Sequence, residues 1–233
     1  MKIAIMQPYF APYIGYFQLM SAVDEFIIYD DVKYTKKGWI NRNRILSNGS
    51  PTCISVPLKR DSDYLEIKER YLAVNWPKEK KRILNKIGSS YHRAPFFDQA
   101  FPHIEMCLEQ KEDNAFQFIY NSLLILKKYL EIDTPLAVSS RIDINHSLQG
   151  EQRVLSLCRE KYADTYINLP GGRDLYHKET FEKNGINLQF ITCNDIHYQQ
   201  YTNKFIQALS IIDVMMFNSR ASVNELLGSY TID

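Results

Sequence analysis

MKIAIMQPYFAPYIGYFQLMSAVDEFIIYDD, residues 1–31, decides the fold. Lys2 to Met6 has the continuous apolar character of a buried strand, and Gln7 to Pro12 is a loop bounded by prolines. Ile14, Phe17 and Leu19 fall on a helix predicted from about Ile14 to Ala22, and Phe26 to Tyr29 form the apolar run of a second strand that starts at Glu25 and ends at Asp30 and Asp31. Strand, loop, helix and strand in so short a span make a βαβ unit, whose strands are parallel with a right-handed crossover. Ligands of such sheets bind beyond the carboxyl ends of the strands. The loop from Gln7 to Gly15 and the Asp30–Asp31 pair are therefore expected along one edge.

Outward from this unit, Trp39–Leu46 and Pro51–Leu58 read as strands of a hairpin turned by Ser47-Asn48-Gly49-Ser50, since Asn-Gly is a strong hairpin signal. Pro77 sits at a helix start with Gly88 as its stop, and Phe96–Gln110 and Asn114–Leu130 carry apolar residues at helical spacing. Alternation then resumes. Strands are expected at Pro135–Ser139, Asp164–Leu169 and Ile186–Thr192, and helices at Glu151–Tyr162, at Lys178–Asn184 and at Ser210–Leu227 with a break near Asn218. The expectation is a single α/β domain over residues 1–233, a Rossmann-like, mostly parallel sheet with flanking helices and a helical insertion at about 77–131.

Composition narrows the function. The 233 residues are 45% hydrophobic and 24% charged, ordinary for a globular chain, and no run reaches the roughly 18 apolar residues of a membrane helix. The N-terminus lacks the pattern of a secretory signal, so a cytoplasmic protein without membrane insertion is expected. Cys53, Cys107, Cys158 and Cys193 lie too far apart in sequence for a zinc or redox motif, so buried thiols, no metal and no tightly bound cofactor are expected. A formal charge of +1 gives no general drive toward nucleic acid. The 16 Tyr and 12 Phe suit sugars and nucleobases as well as a core.

Several stretches have the residue types of a binding site. In Gln7–Gln18, Gly15 would let backbone approach a ligand, the helix start would offer N–H groups, and Tyr9, Tyr13 and Tyr16 would form walls; the same tyrosines would also serve to cover the sheet edge. Asp30 or Asp31 would act as a general base, bind a metal or hold sugar hydroxyls, against the alternative of a solvated strand end. Lys36 to Arg44 places Trp39 among cations, suited to a ring on the indole and a phosphate on Arg42 or Lys36, and strand alternation puts Arg42 and Arg44 on one face. Gly171 and Gly172 after a strand permit a close phosphate contact, though they match no P-loop or dinucleotide fingerprint. His197 is a candidate proton shuttle beside Tyr198 and Gln200, and Ser210 with Asp213 reads as a capping-box variant. Asp61-Ser-Asp63 has the form of a glycosyltransferase metal motif but reads as a loop tip.

The opening IAIMQPYFAPYIGYFQLMSAVDEFIIYDDVKYTKKGWINRNRI, followed in order by YINLPGGRDLY, HYQQYTNKF and LSIIDVMMFN, resembles the WbqC-like family of bacterial surface-polysaccharide proteins along nearly the whole chain. The resemblance implies a role in O-antigen and related biosynthesis, proposed for the family as glycine transfer onto an amino sugar. It singles out Gln7, Tyr9, Pro12, Gly15, Tyr16, Asp24, Asp30, Lys36, Trp39 and Arg42, and later Gly172, Tyr176, Tyr198, Gln200, Phe205, Ser210, Asp213 and Asn218. Leu169-Pro170-Gly171 and His197-Tyr198-Gln199-Gln200 depart from the family's usual Ser-Gly-Pro and Tyr-Pro-Gln. A weaker resemblance links the chain to the nucleotidyltransferase fold, whose His-x-Gly-His motif is here Tyr13-Ile14-Gly15-Tyr16, with both histidines absent.

The expected reaction is transfer of an acyl or aminoacyl group to the amine of a thymidine- or uridine-linked amino sugar. Asp30 or His197 would be the base, Lys36, Trp39 and Arg42 would bind the nucleotide, and Gln7, Tyr9, Tyr16 and Gln200 would orient sugar or oxyanion. The donor is left open among a thioester, an adenylate and an aminoacyl-tRNA. Any assembly is expected to be a homodimer. A non-catalytic nucleotide-sugar or glycan-binding protein is the alternative, and a glycosyltransferase a third reading.

Overall fold

The computed structural model describes residues 1–201 and 204–233. Strand β1 (Lys2–Met6) leads through a loop into helix α1 (Ile14–Ser21) and back to β2 (Glu25–Ile28), which pairs parallel to β1 with Ile3 opposite Glu25 and Met6 opposite Ile28. The hairpin β3 (Arg42–Ser47) and β4 (Ser50–Ser55) turns at Asn48 and Gly49, whose φ angles of 51° and 72° give the doubly left-handed geometry that Asn-Gly favours. Helices α2 (Trp76–Tyr91), α3 (Phe97–Leu108) and α4 (Ala115–Tyr129) follow, then β5 (Leu136–Val138), α5 (Gly150–Glu160), β6 (Thr165–Asn168), α6 (Lys178–Lys183) and β7 (Asn187–Cys193). The chain ends with α7 (Ile211–Phe217), α8 (Arg220–Leu227) and β8 (Tyr230–Ile232).

The main sheet has six strands in the order β5-β2-β1-β6-β7-β8, parallel except for β8. Counted within the sheet this is the order 3-2-1-4-5-6 of doubly wound dinucleotide-binding sheets, and its direction reverses between β1 and β6. The hairpin and α2–α4 enter between the second and third strands of that sheet. Alternation within strands sends Ala4, Phe26, Ile28, Ile167 and Ile191 into one core, with α1, α4 and α7, and Ile3, Ile5, Ile27, Tyr166 and Leu188 into a second core under α5 and α6. Helices thus cover both faces, as a parallel sheet requires. Among the described residues no helix is long and apolar enough to cross a membrane.

Two local expectations are corrected. Gly88 does not stop α2, which runs on to Tyr91; the space beside Gly88 is filled by the Phe101 ring of α3. Ser210 does cap α7, accepting from Ile212 N at 3.2 Å, but the Asp213 side chain turns away from the helix end instead of closing a capping box.

Candidate functional site

The loop after β1 is fastened from several sides. Phe10 N donates to Ile40 O at 2.8 Å, Asn43 Nδ2 donates to Ala11 O, Ser210 Oγ donates to Ala11 O at 2.6 Å, and Ile211 N donates to Pro12 O at 2.7 Å. These bonds hold Ala11 at φ 41°, a left-handed conformation that alanine rarely adopts. Tyr16 is fully buried and its hydroxyl donates to Gln7 O at 3.0 Å, so it braces the loop from below and forms no ligand wall. Gly15 is needed for close packing, because a Cβ there would lie 2.6 Å from Cys193 Sγ and 2.4 Å from Tyr13 Cε2. Gly15→Ala is expected to destabilise the protein by about 1–3 kcal/mol through overpacking, measured as a lowered thermal midpoint.

Above this loop lies a cluster of aromatic and cationic side chains. Trp39 is 44% exposed, with the Arg42 and Arg44 guanidinium carbons 5.2 Å and 5.4 Å from its ring and Tyr9 6.5 Å away. The alternation of β3 does place both arginines on one face, as their spacing predicts. Arg42 Nε donates to Gly38 O at 2.9 Å, and an Arg44 nitrogen donates to Ala208 O at 3.3 Å, which fixes both forks. Burial raises the Tyr9 phenol above its usual range, with Tyr13 raising it further and Arg44 and Arg42 pulling it down.

Ala208 joins this cluster to a pocket of about 180 Å³ beyond the carboxyl end of β7, lined by Tyr13, Cys193, Ile196, Tyr198, Phe205 and Leu209 among others. Burial pushes Tyr13 up to about 12 and raises the Cys193 thiol. The pocket's rear support is Asp213, wholly buried, whose carboxylate accepts from Tyr91 Oη at 2.8 Å, Tyr198 Oη at 2.7 Å and Gln200 Nε2 at 2.7 Å. Gln200 Oε1 in turn accepts Ile206 N at 2.9 Å, and Tyr91 Oη accepts Leu46 N at 2.8 Å. One carboxylate therefore ties the strap around the pocket to α2, α7 and the hairpin. Desolvation holds it above the usual carboxylate range, and its three donors oppose that shift. Tyr198 and Gln200 stand at this support, with Gln200 buried.

A family model described as the WbqC-like protein family matches residues 7–225. The chain belongs to that family. It is also 31% identical over 230 residues to the uncharacterized protein Rv1507c of Mycobacterium tuberculosis, with 97% of each chain covered. No solved structure matches.

Within this WbqC-like chain, several residues carrying the family pattern lie outside the pocket lining, in hydrogen bonds elsewhere in the fold. Asp24 Oδ2 accepts Lys2 N at 2.7 Å at the amino edge of the sheet, opposite the pocket, and Asn218 Nδ2 donates to Val214 O at 2.9 Å. Asp30 is 1% exposed: Ser139 Oγ and Ser140 N donate to its Oδ1 at 2.9 Å and 3.0 Å, and Ser140 Oγ to its Oδ2 at 2.7 Å. Asp31, equally buried, is bound by Arg153, Ser139 and the His146 Nδ1, the last at 2.7 Å. Both carboxylates thus lock β2 to the end of β5 and to α5. His197 is exposed and rests on the pocket residue Phe205, ring centroids 4.9 Å apart.

The remaining expected residues scatter. Gln7 and Gly171 are exposed at the carboxyl ends of β1 and β6, while Gly172 is buried against Asn168 in a 3-10 turn, Pro170–Leu175, that sequence patterning did not foresee. Tyr176 meets Tyr166 edge to face at 5.5 Å. Lys36 pairs with Asp63, and Asp61 accepts Ser62 N at 2.9 Å. Among the described residues no group of three or more His, Cys, Asp or Glu side chains is placed to hold a metal ion. Thr202 and Asn203 of the HYQQYTNKF stretch lie outside the described residues. Sequence reasoning missed Tyr91, Ser139, His146 and Arg153, each joined to its partner only by the fold.

Proposed function

We propose that the protein binds a nucleotide-linked amino sugar at the carboxyl edge of its sheet and transfers an acyl or aminoacyl group, glycine in the family's proposed role, to the sugar amine. The supporting observation is the half-exposed Trp39 with two guanidiniums fixed beside it, next to a pocket walled by Tyr13 and Tyr198. An indole offers a face to a base or sugar ring, and guanidinium forks suit a diphosphate. In this reading the apolar pocket holds the acyl group, and His197, resting on the pocket residue Phe205, takes the amine's proton as the nitrogen attacks the donor carbonyl and the donor's thiolate or adenylate leaves. Asp30 in this reading anchors the end of β2 to the end of β5, its carboxylate accepting from Ser139 and Ser140. The same chemistry fits a cytoplasmic step of surface-polysaccharide synthesis.

Calorimetric titration with thymidine- and uridine-linked amino sugars, beside their non-aminated counterparts, tests the reading. Binding is expected to depend on the amine and to weaken by about 10- to 100-fold in Trp39→Ala, the range of a lost stacking platform. Absence of binding by every nucleotide sugar would sink it. One observation favours a second reading, a binding protein without turnover: neither Asp30 nor Asp31 is presented to the pocket. Mass spectrometry of the sugar after incubation with glycyl thioester and glycyl adenylate donors separates the two, an amide product requiring the transferase.

A further inference from the structure

A second concavity, of about 510 Å³, opens between the hairpin and the segment that follows it. Lys36, Lys59, Arg60 and Arg70 line it against one carboxylate, Asp61. Arg70 is 4% exposed, and its guanidinium carbon lies 4.6 Å from the Tyr34 ring centroid. Its Nη1 donates to Ser62 O at 2.8 Å, while its Nε is buried without a hydrogen-bond partner. Among the described residues no carboxylate forms an ion pair with it: Asp63, which feels its charge, is held by Lys36, and Asp61 caps Ser62 N. A buried charge without a counter-ion is costly, and such a group persists where a ligand supplies the opposite charge.

The floor is preorganised. Tyr34 Oη donates to Asn41 Oδ1 at 2.9 Å, and Asn41 Nδ2 donates to Val56 O at 2.7 Å, so ring and amide stay fixed beneath the opening. Four cations spread around this floor do not suit one planar carboxylate, which a single fork satisfies. They suit a ligand whose several anionic oxygens are distributed in three dimensions.

The geometry points to a second anion site, in which Arg70 with Lys59, Arg60 and Lys36 binds the diphosphate or triphosphate group of a phosphorylated ligand. The site stands on its own cavity and on a guanidinium without an ion pair among the described residues, and only the assignment of its source rests on the amino-sugar reading above. Two sources share the chemistry: the diphosphate of a bound sugar nucleotide, and a second phosphorylated substrate such as an activated acyl donor.

Inorganic pyrophosphate is the probe, titrated at low ionic strength into the full chain, into Lys59→Ala/Arg60→Ala and into Trp39→Ala. The double variant alters exposed side chains and is expected to fold. Saturable binding that weakens at least about tenfold in the double variant, steepens at low salt and is unchanged in Trp39→Ala upholds the site. Equal binding by the double variant, loss in Trp39→Ala, or no saturable binding overturns it. A sugar nucleotide titrated into the double variant then assigns the source: weakened binding places its own diphosphate in the pocket, and unchanged binding assigns the pocket to a separate phosphorylated substrate.

Discussion

Arg153→Met is expected to cost about 3–5 kcal/mol of folding stability, read as a lowered urea midpoint with the slope unchanged. Arg153 sits buried in α5 and reaches across to the end of β2, donating to Asp31 O at 3.0 Å and pairing with the Asp31 carboxylate, with Tyr29 under its guanidinium at 5.3 Å. Methionine fills much of the volume but leaves Asp31 desolvated with only Ser139 and His146 as partners. Breaking a buried pair from one side is the expensive case, whereas removing both charges is cheaper. Adding Asp31→Asn to Arg153→Met is therefore expected to recover part of the loss. A midpoint that stays at the wild-type value in the single variant would show that the pair contributes nothing net.

Asp213→Ala is expected to be of similar size, about 3–5 kcal/mol, because three buried or half-buried donors on different elements lose one acceptor together. Pocket binding is expected to fail with it, since Tyr198 and Gln200 shape the strap. The pH dependence has a definite sign. Desolvation raises the Asp213 carboxyl in the folded state, so the folded protein holds its proton more tightly than the unfolded chain. The stability this confers is fully present below the ordinary carboxylate value and is lost as pH rises through the raised one. Compared with Asp213→Asn, which does not titrate, wild type should show its largest advantage below the ordinary carboxylate value and a shrinking one as pH rises through the raised value. An advantage that grows with pH would refute the assignment and mark Asp213 as a carboxylate stabilised by its donors.

The residues that spoke clearly in the sequence are those whose structure is local. The apolar runs of β1 and β2 and the helix between them give the parallel unit, and Asn48-Gly49 turns its hairpin as the dipeptide demands. Arg42 and Arg44 share a face because strand periodicity requires it. What stayed hidden depends on partners far along the chain. Tyr91 looks like one more apolar position in a helix until Leu46 and Asp213 arrive at its hydroxyl. Asp30 reads as a reactive strand-end carboxylate until Ser139 and Ser140 close over it. Strand β8 has only three residues and takes its conformation from antiparallel pairing with β7, so no pattern of its own announces it. Gly88 misleads for the same reason: propensity marks it as a helix end, and packing against Phe101 carries the helix through it.

The strand order has a further consequence during synthesis. β1 is central, yet its partner on one side is β6, and the Met1 ammonium is bound by Asp164, 163 residues along the chain. β2 likewise pairs with β5 only after the hairpin and three helices have emerged. Until β5 and β6 have been made, the nascent β1–α1–β2 unit therefore displays two apolar strands, each with one unfilled edge. The pairings that complete the sheet are non-local, which slows folding and leaves the exposed edges of this unit open to association meanwhile.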